Sequence, residues 1–127
     1  MSKRMALLIT RATPEAAYAP WMMAATAAAM GFECKLFYAF SGLDLLREQP
    51  LIHGQLHGEI NVLPGAMPEP LALRSMCIES GVSLVACSAS LAAQGLTQND
   101  VVAGVELAGM ASWLAFAAGA EVQLSFA

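Results

Sequence analysis

Charge is what this sequence has least of. Only 13% of its 127 residues are Asp, Glu, Lys or Arg, about half the share usual in a globular domain. Six basic residues face ten acidic ones, and the net charge is −4. That balance gives no electrostatic footprint for nucleic acid or an anionic membrane. Cysteine is scarce as well. Cys34, Cys77 and Cys87 form neither a CxxC pair nor an even framework of bridges, which argues against a disulfide scaffold and for the cytoplasm. The weakly charged apolar stretches Ala16 to Phe32 and Leu107 to Ala120 are both shorter than the roughly 20 residues of a spanning helix, and they are rich in Ala and Gly. Near the amino terminus only Met5 to Thr10 is apolar before Arg11, short of the roughly 7–15 residues of a signal peptide core. A phosphate loop is missing too: Gly104 and Gly109 lack the lysine and the spacing. There is no internal repeat and no second domain.

Apolar residues are what the chain has in excess, at 57% against a usual share of about 45–50%. One domain of this length cannot hide that much apolar surface by itself. The expectation is a homo-oligomer whose interfaces absorb it. The eight methionines show no ligand spacing and read as core and interface filler rather than a copper site.

Strand and helix patterns alternate, the mark of a parallel sheet covered by helices. Met5 to Thr10 is an unalternating apolar run, as in a strand buried on both faces. Thr13, Pro14 and Glu15 open a helix as cap, first-turn residue and complement to the positive end. It is expected to reach Met30, with Gly31 as stop and Pro20 kinking it or delaying its regular part. Phe32 to Phe40 is the second strand, followed by a loop at Ser41-Gly42 and a helical turn over 43–48. Residues 49–70 hold four of the six prolines and three glycines and read as a long loop that covers a site or meets a partner. A helix over 71–80, a strand over 82–86, a short helix over 88–94, a turn over 98–102, a helix over 109–118 and a strand over 121–126 complete the chain.

Cys87 stands where the strand 82–86 hands over to a helix. Open α/β sheets bind and react at that edge, where the next helix offers unpaired N–H groups and partial positive charge. A helix terminus contributes only about 0.3–1 kcal/mol, so hydrogen bonds from Ser88 or Ser90, or a neighbouring subunit, have to add to it. The alternative is that Cys87 is a small buried hydrophobe and that the serines are simple caps. Cys34 reads as core. His53 and His57, spaced i, i+4, could share a helical face as metal ligands do, but Gly54 and Gly58 favour a polar loop. Glu106 needs a partner if buried, and Arg74, Lys35 and the neighbourhood of Cys87 are the options.

Several segments together resemble the DsrE/DsrF-like proteins. They are Ala12-Thr13-Pro14-Glu15-x-Ala17-Tyr18, Phe40-x-Gly42-Leu43-x-Leu45-Leu46, Leu84-Val85-Ala86-Cys87-x-x-Ser90-x-x-x-x-Gly95-Leu96, and Gly104-Val105-Glu106-x-x-Gly109. The match is nearest to the DsrE-like branch often labelled peroxiredoxin-like, and it runs from about Ala6 onward. It implies a three-layer α/β/α domain over 1–127 with a mainly parallel sheet of about five strands. It also implies trimers or multiples of them, and sulfur-carrier or sulfurtransferase activity in which Cys87 carries a persulfide and hands it to other sulfur-trafficking proteins, with no cofactor or metal. Many relatives have acidic residues where this chain has Ala92 and Ala103. Longer ones carry a methionine-rich insertion where this chain has only Gln49 to Pro70.

The chemistry this implies is attack by the Cys87 thiolate on the outer sulfur of a persulfide or polysulfide, followed by transfer to an acceptor thiol. Two other classes remain open. One is a peroxidase-like thiol protein with Cys77 as resolving residue for Cys87; the other is a non-catalytic oligomeric binding module.

Overall fold

The computed structural model of the chain describes residues 2–54 and 68–127. Five strands form one sheet: β1 (Arg4–Ile9), β2 (Glu33–Tyr38), β3 (Ser83–Cys87), β4 (Glu106–Ala108) and β5 (Val122–Phe126). Their order is β4-β3-β2-β1-β5, and every neighbouring pair is parallel. The helices are α1 (Pro14–Ala29), α2 (Pro70–Glu79), α3 (Ser88–Ala93) and α4 (Met110–Ala117), with 3-10 helices at Phe40–Leu46 and Gln98–Asp100. Among the described residues no helix is long and apolar enough to cross a membrane.

The helices that cross between these parallel strands end in a common way. In α1, α2 and α3 a glycine with positive φ follows the cap: Gly31 at 89°, Gly81 at 88° and Gly95 at 69°. The next N–H then bonds back to the last turn, Phe32 to Ala27 O at 2.9 Å, Val82 to Cys77 O at 3.0 Å and Leu96 to Leu91 O at 2.9 Å. This left-handed stop satisfies carbonyls the helix leaves open, and after α1 and α2 it turns the chain directly into a strand. The start of α1 is as the sequence predicts, with Thr13 Oγ1 accepting the Ala16 N–H at 3.2 Å and Pro14 in the first turn. Pro20 does not end or delay the helix, which is continuous through it. Its ring is fully buried, and that packing offsets the roughly 3 kcal/mol that an interior proline costs.

Side-chain alternation divides the sheet into two faces. Met5, Leu7, Ile9, Leu36, Tyr38, Leu84 and Ala86 pack under α1, α2 and the Phe40–Leu46 helix, which contribute Trp21, Ala24, Cys77 and Leu43 among others. Ala6, Phe37, Ala39, Val85 and Cys87 point the other way, under Trp113, Phe116 and Ala117 of α4. The second layer is thin. Trp113 stacks on Phe37 with ring centroids 5.2 Å apart, and the cations of Arg4 and Lys35 each lie 5.0 Å from the Phe116 ring centre. Leu114 and Met110 of α4 and Leu107 of β4 remain exposed.

Sequence periodicity misses β4. It is three residues long with no buried apolar run, so only pairing with β3 reveals it. The stretch read as a long loop, 49–70, lies for the most part outside the described residues, as does His57.

Candidate functional site at the carboxyl end of β3

Cys87 ends β3 and is also the cap residue of α3, with φ −66° and ψ 115°. It is 2% exposed. Its neighbours are Ala108, its register partner on β4, and the apolar group of Phe37, Ala39, Val85 and Trp113. The thiol therefore sits in a dry wall at the edge where the strands of this sheet end.

The polar residues of α3 hold the strand ends on either side. Ser88 Oγ donates to Ala108 O at 3.3 Å, fixing β4. Ser90 Oγ accepts the Phe40 N–H at 3.1 Å, and Gln94 Nε2 donates to Phe40 O at 2.9 Å, fixing the chain as it leaves β2. Phe40 needs the hold. Its φ is 52°, a left-handed conformation that costs an L-residue with a side chain roughly 1–2 kcal/mol, and the residue is 62% exposed at this edge. Two residues on, a Cβ at Gly42 would stand 2.3 Å from Ile9 O, so only glycine lets this segment cross the end of β1. Both serines thus frame the cysteine through backbone partners.

The other thiols lie in the opposite layer. Cys77 is fully buried and donates to Trp21 O at 3.2 Å. Burial, reinforced by Cys34 and opposed by a backbone hydrogen bond at Ala25, pushes its pKa up to about 11. Cys34 is held up by burial first and by Glu33 second. Cys77 packs beneath α1 while Cys87 packs beneath α4, so the sheet separates the two. A bridge needs Cα atoms within about 7 Å and Cβ vectors that converge, and opposite faces do not provide that convergence.

Comparison with known proteins fits this geometry. The sequence matches the DsrE/DsrF/DrsH-like family over residues 1–72 and 65–125. The chain belongs to that family. It is 25% identical to sulfur carrier protein DsrE2 of Allochromatium vinosum over 96% of this chain and 97% of the relative. It is 34% identical to the uncharacterized protein MK0008 of Methanopyrus kandleri over 76% of this chain and 69% of the relative. Two solved structures share the fold at 15% identity. The ychN protein of E. coli has a TM-score of 0.69 over 99% of this chain and 100% of its own. The protein of unknown function MTH1491 of Methanobacterium thermoautotrophicum has 0.66 over 98% and 99%.

Seen from the family motifs, Phe40-x-Gly42 and Cys87-x-x-Ser90 meet in one place through the Ser90 to Phe40 bond. Glu106 pairs in register with Val85, one step short of Cys87 on the same face. It lines a small cavity with Lys35, Ser112 and Trp113, whereas Arg74 lies in the other layer. His53 bonds through Nε2 to Asp44 Oδ2 at 2.9 Å, and Asp44 Oδ1 receives Arg47 Nε at 3.0 Å. Burial alone would raise the pKa of Asp44, but the bonds from His53 and Arg47 and their charges outweigh it and lower it. Among the described residues no three His, Cys, Asp or Glu side chains converge as metal ligands do. The sequence gives little warning of Phe40 and Gln94, since their roles are backbone contacts between segments fifty or more residues apart.

Proposed function

We propose that this chain is a sulfur carrier that loads sulfane sulfur on Cys87 and passes it to a thiol of a partner protein in the cytoplasm, working as a homo-oligomer of trimeric type. The observation that carries the reading is the position of Cys87, the one thiol at the reactive edge of the sheet, in a chain similar along nearly its whole length to a sulfur carrier protein. In loading, the Cys87 thiolate attacks the outer sulfur of a persulfide or polysulfide. The S–S bond of the donor breaks, its inner sulfur leaves as a thiolate with the bonding pair, and Cys87 becomes a persulfide. In unloading, an acceptor thiolate attacks the outer sulfur and Cys87 leaves as thiolate. Neither step needs an external oxidant or a metal.

The walls of the site suit that exchange. Phe37, Val85 and Trp113 keep bulk water from the sulfur, and Ser88 and Ser90 hold the strand ends that frame it. Apolar surface on α4 and β4 at Leu114, Met110 and Leu107 favours a second copy beside the site.

The test is intact-mass measurement after incubation with inorganic polysulfide. The expected result is a gain of one sulfur on Cys87 that dithiothreitol removes, and no gain in Cys87→Ser. A folded protein whose Cys87 stays unmodified overturns the reading.

A further inference from the structure

The segment that leaves β2 passes beside Cys87. β2 and β3 are in register as far as Tyr38 and Ala86, which brings Ala39 level with Cys87 on a path about 4.8 Å away. Ala39 and Cys87 pack in one apolar group, and Phe40 is the next residue. From the other side, α3 starts at Cys87. One turn along it Ser90 Oγ accepts the Phe40 N–H at 3.1 Å, and Gln94 Nε2 donates to Phe40 O at 2.9 Å. Strand register and the bonds from α3 thus set Phe40 independently at the rim of the cysteine.

Phenylalanine is a poor choice for stability at that place. A φ of 52° disfavours any side chain and suits glycine. With the residue 62% exposed, the fold gains little of the burial that an aromatic ring usually brings. The two hydrogen bonds to α3 do not explain the side chain either, because glycine has the same N–H and the same carbonyl. The ring is therefore the part of Phe40 that the fold does not use. Strain held in place by its surroundings gathers at functional sites.

The transfer reaction says what comes to lie against the ring. On unloading, an acceptor thiolate attacks the outer sulfur of the Cys87 persulfide, the S–S bond breaks, and Cys87 leaves as a thiolate with the bonding pair. Cys87 is 2% exposed, so the acceptor has to press against the rim. Its residues one or two places from the thiol reach about 3.5–7 Å along an extended chain, which is the span from Cys87 to Phe40 and its surroundings. Residues 39–43 and 88–98 carry no charge, so these two segments have nothing to pair with a charged flank. They suit an apolar one.

We propose that the Phe40 ring is the specificity contact of the transfer site, taking an apolar or aromatic side chain next to the acceptor thiol of a partner protein. This rests on the reading of Cys87 as the sulfur-carrying residue.

The test starts from the full chain loaded with inorganic polysulfide and freed of the excess. Two synthetic peptides of equal length and zero net charge serve as acceptors, one with Phe and Leu beside its single cysteine, the other with Ser and Gly. Loss of sulfur from Cys87 is followed by intact mass at peptide concentrations where the rate rises linearly. The ratio of the two rates cancels any difference in loading between variants. Wild type is expected to favour the apolar peptide roughly three- to tenfold, the range that one aromatic contact supplies. Phe40→Tyr is expected to keep this preference, and Phe40→Ala and Phe40→Gly to remove it. Because Phe40→Gly relieves the strained turn, a loss of preference in that variant is not a loss of folding. Equal rates in wild type, or a preference that survives in Phe40→Gly, overturn the role of Phe40 while leaving sulfur loading on Cys87 in place. A wild type that does not load at all overturns both. A smaller mass for Phe40→Gly in light scattering assigns the ring to contacts between copies of the chain and overturns the proposal as well.

Discussion

The Ser90 hydroxyl oxygen accepts the backbone N–H of Phe40 at 3.1 Å, and this single bond joins the helix that begins at Cys87 to the strained turn at the end of β2. Phe40 keeps its left-handed φ because Ser90 takes its N–H and Gln94 its carbonyl. The strain is therefore held by the same short helix that presents the thiol.

Replacing Ser90 by Ala leaves the Phe40 N–H without that partner, and the expected cost is about 1–3 kcal/mol. Phe40→Gly acts in the opposite direction. Relief of the roughly 1–2 kcal/mol of left-handed strain exceeds the roughly 0.5–1 kcal/mol of extra chain entropy lost by glycine. Urea unfolding is expected to give a lower midpoint for Ser90→Ala and a slightly higher one for Phe40→Gly. If Phe40→Gly is the less stable of the two, the ring rather than the backbone sets the turn.

The sheet separates Cys77 from Cys87, so oxidation should not link them. After mild peroxide treatment, a non-reducing peptide map is expected to contain no Cys77–Cys87 peptide, and Cys77→Ser is expected to leave sulfur loading on Cys87 at the wild-type level. Recovery of that cross-linked peptide from folded protein would restore Cys77 as a resolving residue.

How far the sequence could be read depended on whether a feature was local. Thr13, Pro14 and the Gly31, Gly81 and Gly95 stops act within one turn of the chain, so residue order alone marks these helix boundaries. The exchange from strand to helix at Cys87 is local for the same reason. Pro20 was misleading because its cost is local but its compensation, full burial, is tertiary. β4 was invisible because three residues carry no period. Ser88 and Ser90 were legible as residues but not in their roles, since their partners, Ala108 and Phe40, come from strand ends that meet only in the folded sheet.

Arg74 shows the same limit and gives a large expected effect. Its guanidinium satisfies three backbone carbonyls from beneath the sheet. Arg74→Met keeps most of the volume and strips those carbonyls of their donor, at a cost of about 1–3 kcal/mol for each buried group left open. Calorimetry is expected to show a fall in Tm well beyond that of Arg47→Met, whose side chain pairs with the partly exposed Asp44. Equal effects would mean that water replaces the lost donor.

Asp44 gives a dependence on pH. Its carboxyl pKa is lowered in the folded chain by the bonds from His53 and Arg47. A carboxylate whose folded pKa is depressed contributes stability above its unfolded pKa of about 3.9 and loses it as pH falls through the lower folded value. Because His53 is 62% exposed, the contribution is expected to stay below about 1 kcal/mol. The stability difference between wild type and Asp44→Asn should be present at neutral pH and vanish in strong acid. A difference that grows toward low pH contradicts the assignment.

The thin second layer makes the last prediction. α4 is the helix that covers the Cys87 face, and Leu114, at 63% exposed, and Met110, at 44%, point away from the sheet. Leu107 continues that apolar surface on β4. If copies of the chain assemble here, a charge at Leu114 has to be desolvated without a partner, which costs several kcal/mol and outweighs the burial of one leucine. Size-exclusion chromatography with light scattering is expected to show an oligomer for the wild type and a folded, smaller species for Leu114→Lys. The same change on a monomer would be a surface substitution within about 0.5 kcal/mol of neutral. An unchanged mass for Leu114→Lys, with the wild type oligomeric, moves the interface away from α4.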